Sequence, residues 1–465
     1  MGKIVHLSVK SRYRFILLTT TTLILVWTFS FSTQLSLLKW PELALTTTLW
    51  PQNHPQESIQ QEQQQIPIPD LQAEFFTWSE PDDPLPPKPR YKPLRQPAPP
   101  IPDPFPLLSS NPPPKKSLLK APEQNRPPKK NYKEKTPLFI GFTRNWPQLL
   151  QCVVSYIAAG WPPEDIFVVE NTGVMFSNRD GKLTLQNPFY LNHTQLSMLG
   201  VVNVVITPTL LTFAQLQNFF LHFSLTNNLP YFFWTHQDLL VFTDESSDPP
   251  YTLYDRAVSV LQSHLLPSSP KWAHHFFSYD HLTLVNRDVV LSVGGWDTHI
   301  PFYATDCDLY VRLMWEGYWQ DETDIGYILD VSSVLDDLGV LLRIPGTKIS
   351  YQGLEQTGEL TWETLVLLGQ KMEREKYSDG YTWRNTWQVK QQGGQGEPFY
   401  RDWEGFEIGT KKMIDMGREV FAEKWGHGGC DIARIEGLRG GDAWRLERDW
   451  EEEEEEEDGE QEEGD

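Results

Sequence analysis

The sequence predicts an α/β fold, and three observations carry the prediction. Short, nearly continuous apolar runs alternate with longer segments whose apolar residues recur at helical spacing. The runs are apolar on both alternating positions, as strands covered on two faces must be. Several of them end abruptly in polar residues, the edge at which ligands of open α/β sheets bind.

The elements follow in order from Thr136. "PLFIGFTRN" reads as a strand ending in polar residues. "WPQLLQCVVSYIAAGW" reads as a helix, with Leu149, Leu150, Val153, Val154, Ile157 and Ala158 on one stripe. Ile166 to Val169 form a second strand, closed by Glu170, and residues 201–206 a third. "TFAQLQNFFLHFSLTNN" is helical and leads into a strand at Tyr231. That strand, "YFFWTHQDLLVF", runs from aromatic residues straight into His236, Gln237 and Asp238. "TLYDRAVSVLQSHLL" is a further helix, "WAHHFFSYDHLTLVN" is strand-like, and "RDVVLSVGGWDTH" is a short helix stopped by Gly294 and Gly295. "ATDCDLYVRLMWEGYW" is a helix that opens on acids. Residues 346–449, rich in Trp, Gly and charge, read as a helical appendage or a partly disordered segment. His274 and His275 read as strand residues, and Asp336 and Asp337 as caps of a helix or turn.

The flanks are of another kind. Residues 39–135 hold most of the 37 prolines together with "IQQEQQQ", a composition that favours extended, unpacked chain and predicts a stem. The sixteen residues from Trp450 carry twelve acids, over half of the net charge of −22, and predict a solvated tail. This balance argues against nucleic acid as a partner. Phe15 to Leu38 is uncharged for 24 residues, preceded by Lys3, Lys10, Arg12 and Arg14 and followed by Lys39. That pattern predicts a signal-anchor at 15–38 behind a cytosolic tail, 1–14, with a cleaved signal peptide or a buried helix as competing readings. The chain beyond it would then lie in the lumen of the Golgi or another secretory compartment, as a single-pass type II protein. Asn192-His193-Thr194 is a glycosylation sequon of the kind expected there. The cysteines, Cys152, Cys307 and Cys430, allow one disulfide without specifying the pair.

Two constellations carry chemistry. His236 and Asp238 are two apart at a strand's end, where alternation puts both on one side facing one ion, and an imidazole with a carboxylate suits Mn²⁺ or Mg²⁺. Asp306 and Asp308 open a helix, where one is placed to act as general base and the other to complement the helix dipole.

The ordered set "LFIGFTRN … VVEN … FAQLQNFF … FFWTHQD … GGWDTHIPFYATDCDLYVRL" resembles nucleotide-sugar glycosyltransferases of the GT-A fold, family-2-like, of the fungal type with a His-x-Asp metal motif. The resemblance covers roughly residues 136–340 and implies a Rossmann-like domain, 136–345, that binds a UDP- or GDP-sugar donor and a glycan or glycoconjugate acceptor. It implies Thr143 facing the nucleotide, Glu170 on base or ribose, and Asn218 on the helix before the metal strand. It implies His236 and Asp238 as metal ligands, Gly295 and Trp296 lining the sugar or acceptor pocket, and Asp306 or Asp308 as the base. Glu170 stands where Asp is usual, His236 where Asp is commonest, and Asp-Cys-Asp where Glu-Asp is common. A catalytically inactive membrane protein that keeps this fold and has a carbohydrate-binding or scaffolding role is the alternative. A serine hydrolase is disfavoured by the lack of a Gly-x-Ser-x-Gly elbow.

Overall fold

The computed structural model describes residues 87–93, 96–126, 135–248, 251–355, 359–378, 388, 391–435 and 437–448. The chain divides into Met1–Tyr91 and Lys92–Asp465. Of the first unit only 87–91 are described, exposed and without regular structure. The expected signal-anchor and acidic tail lie outside the described residues, among which no helix is long and apolar enough to cross a membrane.

The second unit is built on a mixed, parallel-rich sheet of the Rossmann-like kind. Its strands are β1 (Leu138–Phe142), β2 (Ile166–Glu170), β3 (Asn203–Ile206), β4 (Tyr231–Thr235), β6 (Trp272–Phe277), β7 (Leu282–Asn286) and β8 (Trp319–Glu322), with β5 (Leu239–Phe242) lying outside it. The order is β3-β2-β1-β4-β7-β6-β8. β1 pairs parallel with β2 and β4, and β2 with β3, whereas β7 runs antiparallel to both β4 and β6. β6 pairs parallel with β8, so the expectation of parallel strands holds for every strand of this sheet except β7. "WAHHFFSYDHLTLVN" is two strands joined by a tight turn, and a hairpin necessarily reverses direction.

β1 shows why this sequence makes a three-layer domain. Leu138, Ile140 and Phe142 face one core, shared with helix α1 (Trp146–Ala158). Phe139, on the alternate side, faces another, shared with Phe220 of a further helix and with Trp296. α2 (His193–Met198) is short, and its cap is Asn192, the sequon residue, whose side chain accepts from Gln195 N. The helix carrying Phe220 is α3 (Phe213–Thr226), begun by a Thr212–Gln215 capping box. Gly141 lets that helix pack closely, since a Cβ there would lie 2.6 Å from Leu216 Cδ2 and the leucine would have to shift. Further helices among the described residues are α4 (Leu253–His264), α5 (Arg287–Ser292), α6 (Thr305–Trp315), α7 (Trp362–Ser378) and α8 (Trp403–Trp425). β5 leaves the main sheet to pair antiparallel with β9 (Tyr327–Asp330).

Two regions read as peripheral join the core. Part of the expected stem docks: Phe105 is fully buried with Leu108 and Leu119 against the α1 core, and Leu338 N donates to Pro104 O at 2.8 Å. Proline-rich chain cannot bury a core of its own, but three apolar residues suffice to seat it on an existing one. The 346–449 region supplies α7 and α8, and a disulfide between Cys307 and Cys430 ties α6 to the segment after α8. Cys152 is free and buried.

Candidate active site

The chain winds outward from β1 through β2 to β3, then returns to place β4 on the other side of β1. The carboxyl ends of β1 and β4 thus flank the topological switch point, where α/β sheets open a crevice. A cavity of about 1150 Å³ lies there, lined among others by Thr143, Asn171, His236, Asp280, Asp306 and Lys376. Gln237 spans the crevice, accepting from Thr143 N at 3.3 Å and donating to Arg144 O at 2.7 Å. The polar ending of "YFFWTHQD" therefore fastens the two strand ends together.

β4 stops at Thr235, and residues 236–238 form a turn into β5. Strand alternation does not apply across a turn, and the expected pair separates. The His236 ring stacks on Phe213 and meets His281 edge-on. Its Nε2 is buried without a hydrogen-bond partner among the described residues, 4.0 Å from Asp280 Oδ1. Asp238 turns away, only 3% exposed, and accepts from Lys376 Nζ at 3.1 Å. Lys376 also binds Asp330 Oδ1, whose other oxygen accepts from Tyr377. Burial opposes the charge on Lys376, but Asp238 and Asp330 together hold its pKa above the ordinary lysine value. A divalent ion on His236 and Asp238 does not fit this arrangement: an ammonium already sits on the carboxylate, and the imidazole faces Asp280 instead. Among the described residues, no three His, Cys, Asp or Glu side chains come together as metal ligands.

The acids of α6 also part. Asp306 lines the cavity. Burial, and then the charge of Asp280, raise its pKa. Asp308 is fully buried. It is paired with Arg312 at 2.8 Å and Lys424 at 2.6 Å, and accepts from Trp425 Nε1.

Four other expected site residues have structural duties. Glu170 is fully buried, bonded to His193 at 2.8 Å and Asn178 at 2.8 Å, and does not line the cavity. Its neighbour Asn171 lines it instead, one residue beyond the strand, oriented by Leu211. Asn218 grips the backbone of Trp296 in both directions, at 2.8 and 2.9 Å. Trp296 packs in the α3 core, edge-on to Phe213. Gly295 has φ +71°, and a Cβ there would lie 2.7 Å from Asn218 Oδ1. Its role is to let this loop approach α3. Thr143 lines the cavity.

Asp280, His281, Asp330 and Lys376 went unread. Asp280 and His281 sit on the β6–β7 turn, where Ser278 (φ 61°) and Tyr279 (φ 52°) are consecutive left-handed non-glycine residues. Such conformations cost energy and concentrate at functional sites. The polar "SYDH" interrupting an aromatic strand run was the available signal. Burial, then the neighbouring His236, lowers the pKa of His281.

The chain matches no protein-family model and no curated protein. Among solved structures, it is similar to the mannosyltransferase PcManGT of Pyrobaculum calidifontis, determined with GDP-mannose and Mn²⁺. That alignment has 12% identity and TM-score 0.30, over 45% of this chain and 60% of the other. A cytidylyltransferase from Leptospira borgpetersenii aligns at 9% identity and TM-score 0.26, over 43% and 82%. The match thus spans about three-fifths of the mannosyltransferase, and at these scores neither likeness bears on ligand or reaction.

Proposed function

We propose that the chain is a glycosyltransferase of the GT-A kind that moves a sugar from a UDP- or GDP-sugar to a hydroxyl acceptor. The observation that carries this reading is Asp306. It is a carboxylate with a raised pKa, on the wall of a cavity that opens at the switch point of a Rossmann-like sheet. The donor would lie across the β1 and β4 ends, with the nucleotide toward Thr143 and Asn171 and the sugar toward Asp306. The acceptor oxygen attacks the anomeric carbon, Asp306 takes the hydroxyl proton, and the anomeric C–O bond to the diphosphate breaks. A base of raised pKa accepts that proton more readily than an ordinary carboxylate. The Cys307–Cys430 bridge and the sequon at Asn192 suit a secretory compartment.

Release of UDP or GDP from a panel of nucleotide sugars, with simple glycosides as acceptors, tests the reading. Turnover of one donor, lost in Asp306→Asn, is the expected result. A folded protein that binds glycans and turns over no donor would instead favour the non-catalytic carbohydrate-binding alternative.

A further inference from the structure

We infer that Lys376, carried into the cavity by α7, serves as the resident cation for the donor's diphosphate, so that donor binding needs no divalent metal. This rests on the nucleotide-sugar reading above.

The Lys376 side chain is 5% exposed and lines the cavity wall. The ammonium bridges Asp238, which follows β4, and Asp330, which ends β9. Tyr377 OH and Glu373, which accepts from Asp330 N, fix the second carboxylate from the same helix. Two acids facing one ion is the geometry a divalent cation would need, and here the ion is covalently part of the chain. An ammonium has three donor hydrogens. Two serve Asp238 and Asp330, and the third serves a phosphate oxygen at the switch point. The two carboxylates hold the cation in place before the ligand arrives, so no side-chain ordering is needed on binding. The lysine enters from the C-terminal region, which makes α7 a working part of the site.

Calorimetry of the full chain with UDP and with GDP, in EDTA and in Mn²⁺, tests the inference, with uridine and guanosine as phosphate-free controls. Wild type should bind one diphosphate with affinity equal within twofold in EDTA and Mn²⁺. Lys376→Met should lose at least tenfold toward that diphosphate in EDTA and keep its affinity for the nucleoside. Mn²⁺ should restore part of the loss in this variant alone, because the ammonium no longer sits between Asp238 and Asp330. Lys376→Arg should stay within a few-fold of wild type. Wild-type binding that appears only with Mn²⁺ overturns the inference and leaves the glycosyltransferase reading standing, as does undiminished diphosphate binding by Lys376→Met. If Lys376→Met does not fold, the wild-type comparison in EDTA and Mn²⁺ decides alone. Failure of wild type to bind either diphosphate under any condition overturns both.

Discussion

Asp306 and Asp308 stand two residues apart at the head of α6 and face different worlds. Asp306 borders the cavity, while Asp308 is sealed between Arg312, Lys424 and the Trp425 indole. Asp306→Asn should fold like wild type and lose on the order of 10²- to 10⁴-fold in turnover, the usual contribution of a positioned base. Asp308→Asn removes the charge that Arg312 and Lys424 share and should cost about 1–3 kcal/mol of stability, since Lys424 keeps Asp297 and Arg312 keeps the carbonyls of Val293 and Gly295. Denaturant unfolding beside donor turnover separates them. A stable, inactive Asp308→Asn would reverse the assignment.

The acid limb of activity follows from Asp306. It must be ionised to act, so kcat/KM should fall as pH drops through its pKa, which burial and Asp280 hold above the ordinary carboxylate value. Removing one cause, in Asp280→Asn, should move that limb to lower pH. A limb that stays put in this variant would mean that another group sets it.

Acid stability is expected to depend on the strand histidines. His274 and His275 are buried neutral, and burial lowers each pKa to about 4 from 6.5. Between those values the unfolded chain binds more protons, so stability is full above pH 6.5 and declines as pH falls toward 4. His274, fully buried, accounts for at most about 3 kcal/mol of that decline. Unfolding midpoints between pH 7 and pH 4 should fall less steeply in a His274→Gln, His275→Gln double variant. An equal slope would place the acid sensitivity elsewhere.

The loop before α6 depends on Asn218 and Gly295 as a pair. Asn218→Ala leaves the N–H and C=O of Trp296 without their partner and should cost about 1–3 kcal/mol. Gly295→Ala combines a left-handed backbone with a Cβ against Asn218 Oδ1, so a comparable loss is expected from strain. If thermal unfolding of either variant matched wild type, this contact would not be holding the loop.

The strands, the helices and the edge that carries the site were legible because each is written in local pattern. "PLFIGF" and "YFFWT" announce strands buried on both faces, and their polar ends announce the crevice. Topology was less legible, because nothing local in "FFSYDHLTLVN" states that the chain reverses there. The site divided along the same line. Thr143 and Asp306 follow directly from element ends. Asp238 was read as a metal ligand because its partner, Lys376, lies 138 residues further on, in a region whose composition suggested an appendage. Glu170 and Trp296 were assigned to ligand because sequence shows residue type but not which way a side chain turns. Among the described stem residues, Phe105 packs because a core made elsewhere offers it a surface.

The central claim is that a nucleotide sugar lies across the carboxyl ends of β1 and β4. Amide hydrogen exchange with and without a UDP- or GDP-sugar addresses it directly. The account predicts slower exchange in residues 143–145, 171–173 and 236–238, and at the head of α6 around Asp306, with the rest of the sheet unchanged. Protection confined to surfaces away from this crevice, or none at donor concentrations that saturate binding, would contradict it.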